Sequence, residues 1–252
     1  MSRSSEKFSN GMSDSEPAIV IGVPGTWKDR SEITTSIASR SGGYLFAGRV
    51  LMHLETKKVF EMDIQEHNPE LAGFMRLEGI GQIHEEDLAA LENHTFTLYL
   101  ISDETGHEVV SAMMNAVLAL LDSGGMAVKI ENAGLSVSAT RWRELHPYNS
   151  AWSLYRGMVI LVGENRDYFT CGMSAFSLPD CEVVGSNLEQ AFEVATEFCC
   201  YQIDETPTLG QGHTFSTAEG KPRHHLSFET YIYPPGDYRH NPNGIWKLVL
   251  MT

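Results

Sequence analysis

The sequence predicts an α+β fold in which mixed sheet layers are covered by helices, and three observations lead there. Runs rich in β-branched and aromatic residues are interspersed with amphipathic stretches along the chain, without a strict strand–helix alternation. Crossovers and hairpins both occur, the hairpins marked by Gly-, Pro- and Asn-containing turns. Residues 95–132 form one compact strand–helix–strand unit around which the rest is arranged. The element orders on either side of it suggest two ferredoxin-like (split βαβ) halves, without a residue-level repeat of fixed period. The expected division is a disordered tail over 1–16, an N-terminal half over 17–134 and a C-terminal half over 135–252, packed as one unit.

Taken in order, Met1 to Glu16 holds six serines and no apolar core, so it reads as a flexible tail and not as a secretory signal. Ala18 to Val23 is a short buried strand stopped by Pro24-Gly25. Asp29 and Glu32 form a capping box for a helix that runs to Ser39. Tyr44 to Leu54 and Val59 to Ile64 read as two strands, and Leu71, Phe74, Met75 and Leu77 as a short helix. Glu85 to Glu92 is a polar helix whose acidic start, Glu85-Glu86-Asp87, suits the positive end of a helix dipole. In the central unit, Thr105 and Glu108 read as a second capping box. Glu108, Ser111, Asn115 and Asp122 lie on one narrow stripe of its helix, and Val110, Met113, Met114, Val117, Leu118, Leu120 and Leu121 cover the remainder. A helix with so little polar surface is expected to be buried on most sides.

Beyond Gly134 the spacing predicts a helical stretch over 136–145, then a hairpin from Met158–Val162 and Tyr168–Met173, and a strand at Cys181–Val184. Ser186 and Glu189 suggest a third capping box. Its helix would bury Leu188, Ala191, Phe192, Ala195 and Phe198 and turn Glu189, Gln190, Glu193 and Glu197 to water. Strands at Leu226–Tyr233 and Ile245–Met251 close the chain, with turns at Pro234-Pro235-Gly236 and Asn241–Gly244.

Charge bounds the function. Eighteen Lys and Arg against 33 Asp and Glu give a formal charge of −15, and no block of basic residues occurs. That balance argues against nucleic-acid binding, which needs clustered cations facing phosphates. It allows an acidic face that steers a basic protein partner. No apolar run is long enough to span a membrane. Four cysteines lack metal-ligand spacing, and reduced thiols in a cytoplasmic protein are expected.

Motifs of catalysis are missing. The sequence contains no Gly-x-Ser-x-Gly elbow, no phosphate loop and no His-Glu-x-x-His, and Gly79-Ile-Gly81 lacks the third glycine of a dinucleotide site. No cofactor is expected. His213, His224, His225 and His240 invite a metal hypothesis, with His213 and His240 as its best ligands and Glu229 or Asp237 as the carboxylate. Adjacent strand residues face opposite ways, so His224 and His225 cannot share an ion, and ordinary sheet histidines are the expectation. Trp27, at the end of the first strand, could anchor a contact or cover the edge of the core.

The stretch Tyr168-Phe-Thr-Cys-Gly-Met-Ser-Ala-Phe-Ser-Leu-Pro-Asp-Cys-Glu-Val183 resembles the C-terminal signature of an uncharacterised bacterial family of domains of unknown function. Members share a Thr-x-Gly-Met run, an aromatic, and then Gly-Leu-Pro-Asp/Glu, with Ser177 standing here where glycine is commoner. Val23-Pro-Gly-Thr-Trp27 and Ala127-Val-Lys-Ile-Glu-Asn-Ala-Gly134 look similar as well, so the resemblance would span about 18–203. It implies no activity.

Two functions are therefore expected. The first is an acidic interaction protein, toxin-neutralising or defence-associated, with Trp27, Asp180, Glu189, Glu193 and Glu197 as candidate contacts. The alternative is a hydrolase in which His213 or His240 works beside Asp180, Glu131 or Asp237.

Overall fold

The structure, a computed structural model, describes residues 17–79, 82–164, 166–230, 233–234, 237 and 239–251. The expected tail over 1–16, Gly81 and the Pro235-Gly236 portion of a predicted turn lie outside them.

The first sheet is built from β1 (Ile19–Gly25), β2 (Tyr44–Ala47), β3 (Val50–His53), β4 (Val59–Glu66), β5 (Phe96–Ser102), β6 (Ala127–Ile130) and β7 (Leu135–Ser138). Their order is β2-β3-β4-β5-β1-β6-β7, and each neighbouring pair is antiparallel. β5 and β6 therefore run parallel with β1 wedged between them. Ile21 faces Leu100 on one side and Ile130 on the other. β1 is buried along its whole length, as a central strand covered on both faces should be.

Helices α1 (Arg30–Arg40) and α4 (His107–Asp122) cross over from β1 and β5, so β4-β5-β1-β6 with α1 and α4 make a ferredoxin-like layer. The β2–β3 hairpin and the pair α2 (Leu71–Glu78) and α3 (Glu85–Leu91) are insertions into it.

The remainder is α5 (Ala139–Leu145), α6 (Ala151–Met158), β8 (Ile160–Glu164), β9 (Asp167–Cys171), β10 (Asp180–Val184), α7 (Leu188–Glu205), β11 (Thr214–Phe215), β12 (His224–Glu229) and β13 (Ile245–Leu250). The second sheet has the order β11-β12-β13-β10-β9-β8. Only β10 and β13 are parallel in it. One helix and one hairpin separate that pair, so among the described residues the second sheet does not have the expected ferredoxin-like order. The fold as a whole is α+β.

Helix α4 packs between β1 of the first sheet and helices α5 and α6. Val110, Met113, Met114, Val117, Leu120 and Leu121 are buried, Leu118 is partly so, and Glu108, Asn115 and Asp122 stay exposed, as the stripe predicted. The main apolar core runs from Ile21 and Val23 through α4 to Phe198, Leu226 and Trp246, with smaller clusters around Met75 and Leu91 and around Phe169 and Ile245.

Several local readings need correction. The Thr105 hydroxyl hydrogen-bonds Ser177, and Gly106 is the uncapped start of α4 because its amide donates to the Ala175 carbonyl. Asp29 does cap α1, but the Glu32 carboxylate accepts from the Lys28 amide. The cap of α7 is Asn187, not Ser186. Tyr44–Leu54 is not one strand, since Gly48 at φ +65° folds it into a hairpin. Residues 136–145 divide into β7 and α5, with Ser138 ending the strand and capping the helix. In α7, Leu188 and Phe192 are exposed, because that end of the helix overhangs the core.

Candidate functional site

Helix α7 forms because Asn187 accepts the Gln190 amide while Ala191, Val194, Ala195, Phe198 and Cys199 present one apolar face to β10 and α6. It ends where Thr206 takes a left-handed conformation, φ +42°. Pro207 follows, and the chain turns back along the helix toward β11. Phe215 fixes that return, edge-on to Phe198 at 5.0 Å and stacked on Tyr201 at 6.1 Å.

Between the outer face of α7 and the returning segment runs an open groove of about 580 Å³. Glu197, Asp204 and Glu205 line it from the helix, with Tyr201 and Cys200, and Leu209, Phe215 and Leu226 form apolar ground. Thr208, Thr214, Ser216 and Thr217 add hydroxyls along the rim. No lysine or arginine is among the lining residues. His213 also faces the groove, and its Nδ1 accepts the Gly210 amide at 3.2 Å. Burial, reinforced by Glu197 and Asp204, pushes the Cys200 thiol up to about 12, so it is protonated and a weak nucleophile at neutral pH. The groove offers carboxylates and hydroxyls to a cationic guest.

Of the predicted contacts, Glu197 lies in the groove. Glu193 stands one turn away and accepts from Thr217 at 3.2 Å and from Lys221 at 3.4 Å, tying the rim to the helix. Glu189 is exposed in the first turn of α7. Trp27 is elsewhere: it is 2 % exposed, and its indole donates to the Ser123 carbonyl at 2.8 Å, closing the first loop against the turn after α4.

Asp180 opens β10 and is buried. Thr170 Oγ1 donates to it at 2.8 Å, the Met173 amide at 3.3 Å and the Asn241 amide group at 2.6 Å. It thereby pins the turn after β9, β9 itself and the loop before β13. Burial outweighs these hydrogen bonds and pushes its carboxyl up to about 6. A carboxyl raised in the fold contributes stability that is complete below its unfolded value and lost as the pH rises through about 6. Denaturant midpoints measured from pH 4 to 8 should therefore fall more steeply for the parent than for Asp180→Asn, by roughly 3 kcal/mol at most. Parallel profiles would remove Asp180 as the source.

Of the groups named for the hydrolase alternative, His240 and Asp237 are neighbours, the His240 amide donating to the Asp237 carbonyl at 2.9 Å. Glu131 lies in the turn after β6 and pairs with Lys129. Asp237 is engaged by Arg239 at 3.0 Å, and the His240 ring bonds the Tyr233 carbonyl at 2.7 Å. Among the described residues no three His, Cys, Asp or Glu gather as a metal would need. His224 is buried and His225 exposed, on opposite faces of β12 as expected. No helix among the described residues is long and apolar enough to cross a membrane.

Sequence reasoning missed Tyr201, Asp204 and Glu205. The glutamate spacing was visible, but nothing signalled that the chain beyond Thr206 would double back and convert a helix face into a groove.

Residues 169–236 match a family model described as Domain of unknown function (DUF4261). The match begins within the signature stretch noted above and continues past it, through α7 and β12, and every residue lining the groove falls inside it. No curated protein matches the chain. No solved structure matches it either. In the fold the Leu178-Pro-Asp180 run leads into β10, and Ser177 occupies a left-handed position, φ +60°, where glycine is favoured.

Proposed function

We propose that the protein is a binding protein whose acidic groove on α7 receives a lysine- or arginine-rich segment of a partner protein. One observation carries this reading: the groove is lined by Glu197, Asp204 and Glu205, with no lysine or arginine among its lining residues. Carboxylates in a concave wall focus their field more than the same charges on a convex surface, and they speed the capture of a cation. The hydroxyl rim and the exposed edge of Tyr201 supply the hydrogen bonds and contact area that give such capture a register. A basic protein toxin is one partner of this chemistry, and a cytoplasmic setting suits it.

The test separates the groove from the overall charge. A fluorescein-labelled peptide of alternating lysine and glycine is titrated against the parent at low salt. It is then titrated against two variants of equal net charge. One carries Lys at positions 197, 204 and 205; the other carries Lys in place of the exposed Glu55, Glu86 and Glu92. The first variant should bind at least ten-fold more weakly than the second, and added salt should narrow the gap as screening grows. Equal losses in both would reduce the effect to net charge and defeat the proposal.

A further inference from the structure

Between the segment leading into α3, helix α5 and helix α6, a second cavity of about 370 Å³ is lined by Gln82, His84, Ser138, Thr140, Arg141, Glu144 and Arg156. In a chain with a formal charge of −15 it holds two guanidinium groups against one carboxylate. Glu144 is taken up by Arg141 at 3.1 Å. Arg156 makes no ion pair or hydrogen bond to a described residue, and its Nε is buried with no partner. Burial and the facing charge of Arg141 both push the Arg156 pKa down from its usual value, as expected of a cation lacking a counter-charge.

Aromatic rings lie against the faces of these groups, leaving open the N–H edge of Arg156 and the part of Arg141's edge that Glu144 does not take. Arg156 lies over Phe192 at 5.1 Å, and Arg141 over Trp152 at 6.0 Å. The hydroxyls of Ser138 and Thr140 and the amide of Gln82 add neutral donors around the same space. A buried donor without an acceptor costs free energy in the empty protein, which an anionic guest would recover.

We infer that this cavity binds a small phosphorylated molecule, with the phosphate oxygens held by Arg141 and Arg156 and the organic portion in the remaining volume. Guanidinium forks match phosphate oxygens in pairs. A carboxylate offers only two oxygens, and Glu144 already supplies one such group to Arg141. The volume falls within the roughly 300–1,000 Å³ of small-molecule sites and exceeds what a bare anion fills.

Calorimetric titration tests the inference with three probes: inorganic phosphate, a hexose monophosphate and succinate. The hexose monophosphate should bind the parent most tightly. Arg156→Gln should weaken it at least ten-fold, while Arg143→Gln, whose exposed partner is Asp122, should leave it unchanged. Thermal melting of Arg156→Gln checks that the fold persists. Inorganic phosphate binding as tightly as the ester would overturn the organic portion of the assignment. Succinate binding tighter than both would overturn the phosphate. An undiminished affinity in Arg156→Gln would overturn the site.

Discussion

Met114→Asp is expected to destabilise the protein by about 4 kcal/mol or more, because a carboxylate buried there finds no partner and must pay desolvation or a forced protonation. Met114 is 3 % exposed, and its carbonyl accepts the indole proton of Trp142 at 3.3 Å. Its terminal methyl lies so near Gly157 that a side chain there would come within 3.0 Å. No route leads the new charge to water without separating α4 from α5 and α6. Leu118→Asp, on a partly buried position of the same helix, should cost clearly less. Urea midpoints decide it: a Met114→Asp midpoint equal to the parent's would mean that α4 is not packed between β1 and helices α5 and α6 as described.

Gly172→Ala should cost about 2–4 kcal/mol. Gly172 has φ +127°, and a Cβ there would lie 2.3 Å from the Met158 carbonyl oxygen and 3.1 Å from the Val159 Cα. Both obstacles are backbone, so neither can rotate aside. The strand that would have to move is anchored by Asp180. Gly185→Ala is the control: its φ is +71° with nothing within 4 Å of the added carbon, so only conformational strain of about 1 kcal/mol applies. Melting curves that shift equally for both would show the close approach to be relaxed in solution.

These two positions also show what the sequence made legible. The burial of α4 could be read because four polar positions repeating at helical spacing leave no other surface to hide. The ferredoxin-like layer was suggested by the order of strands and helices around the central unit, whose parallel strands need a crossover helix. The start of α4 could not be read, since Thr105 answers to Ser177 across the chain and not to its own helix. Leu188 and Phe192 obeyed the periodicity of α7 yet are exposed, because periodicity names a face and not how far along it the core extends. At the candidate site, Glu197 was visible as part of a charge stripe. Asp204 and Glu205 share the face of Glu197 by helix periodicity, and the reversal at Thr206 is what walls that face into a groove. Arg141 and Arg156 come from separate helices, and no local pattern connects them.

The place of β1 in the first sheet bears on how the molecule is made. Its pairings are with β5 and β6 alone, although β2, β3 and β4 come between in the chain. On a ribosome, then, the strand ending at Gly25 must wait without a partner while everything up to Phe96 and beyond is translated. The intervening β2–β4 meander can zip early through short loops, but it has an open flank until β5 arrives. Contacts so distant in sequence close slowly, and an apolar strand awaiting them is a segment that a holding chaperone would engage.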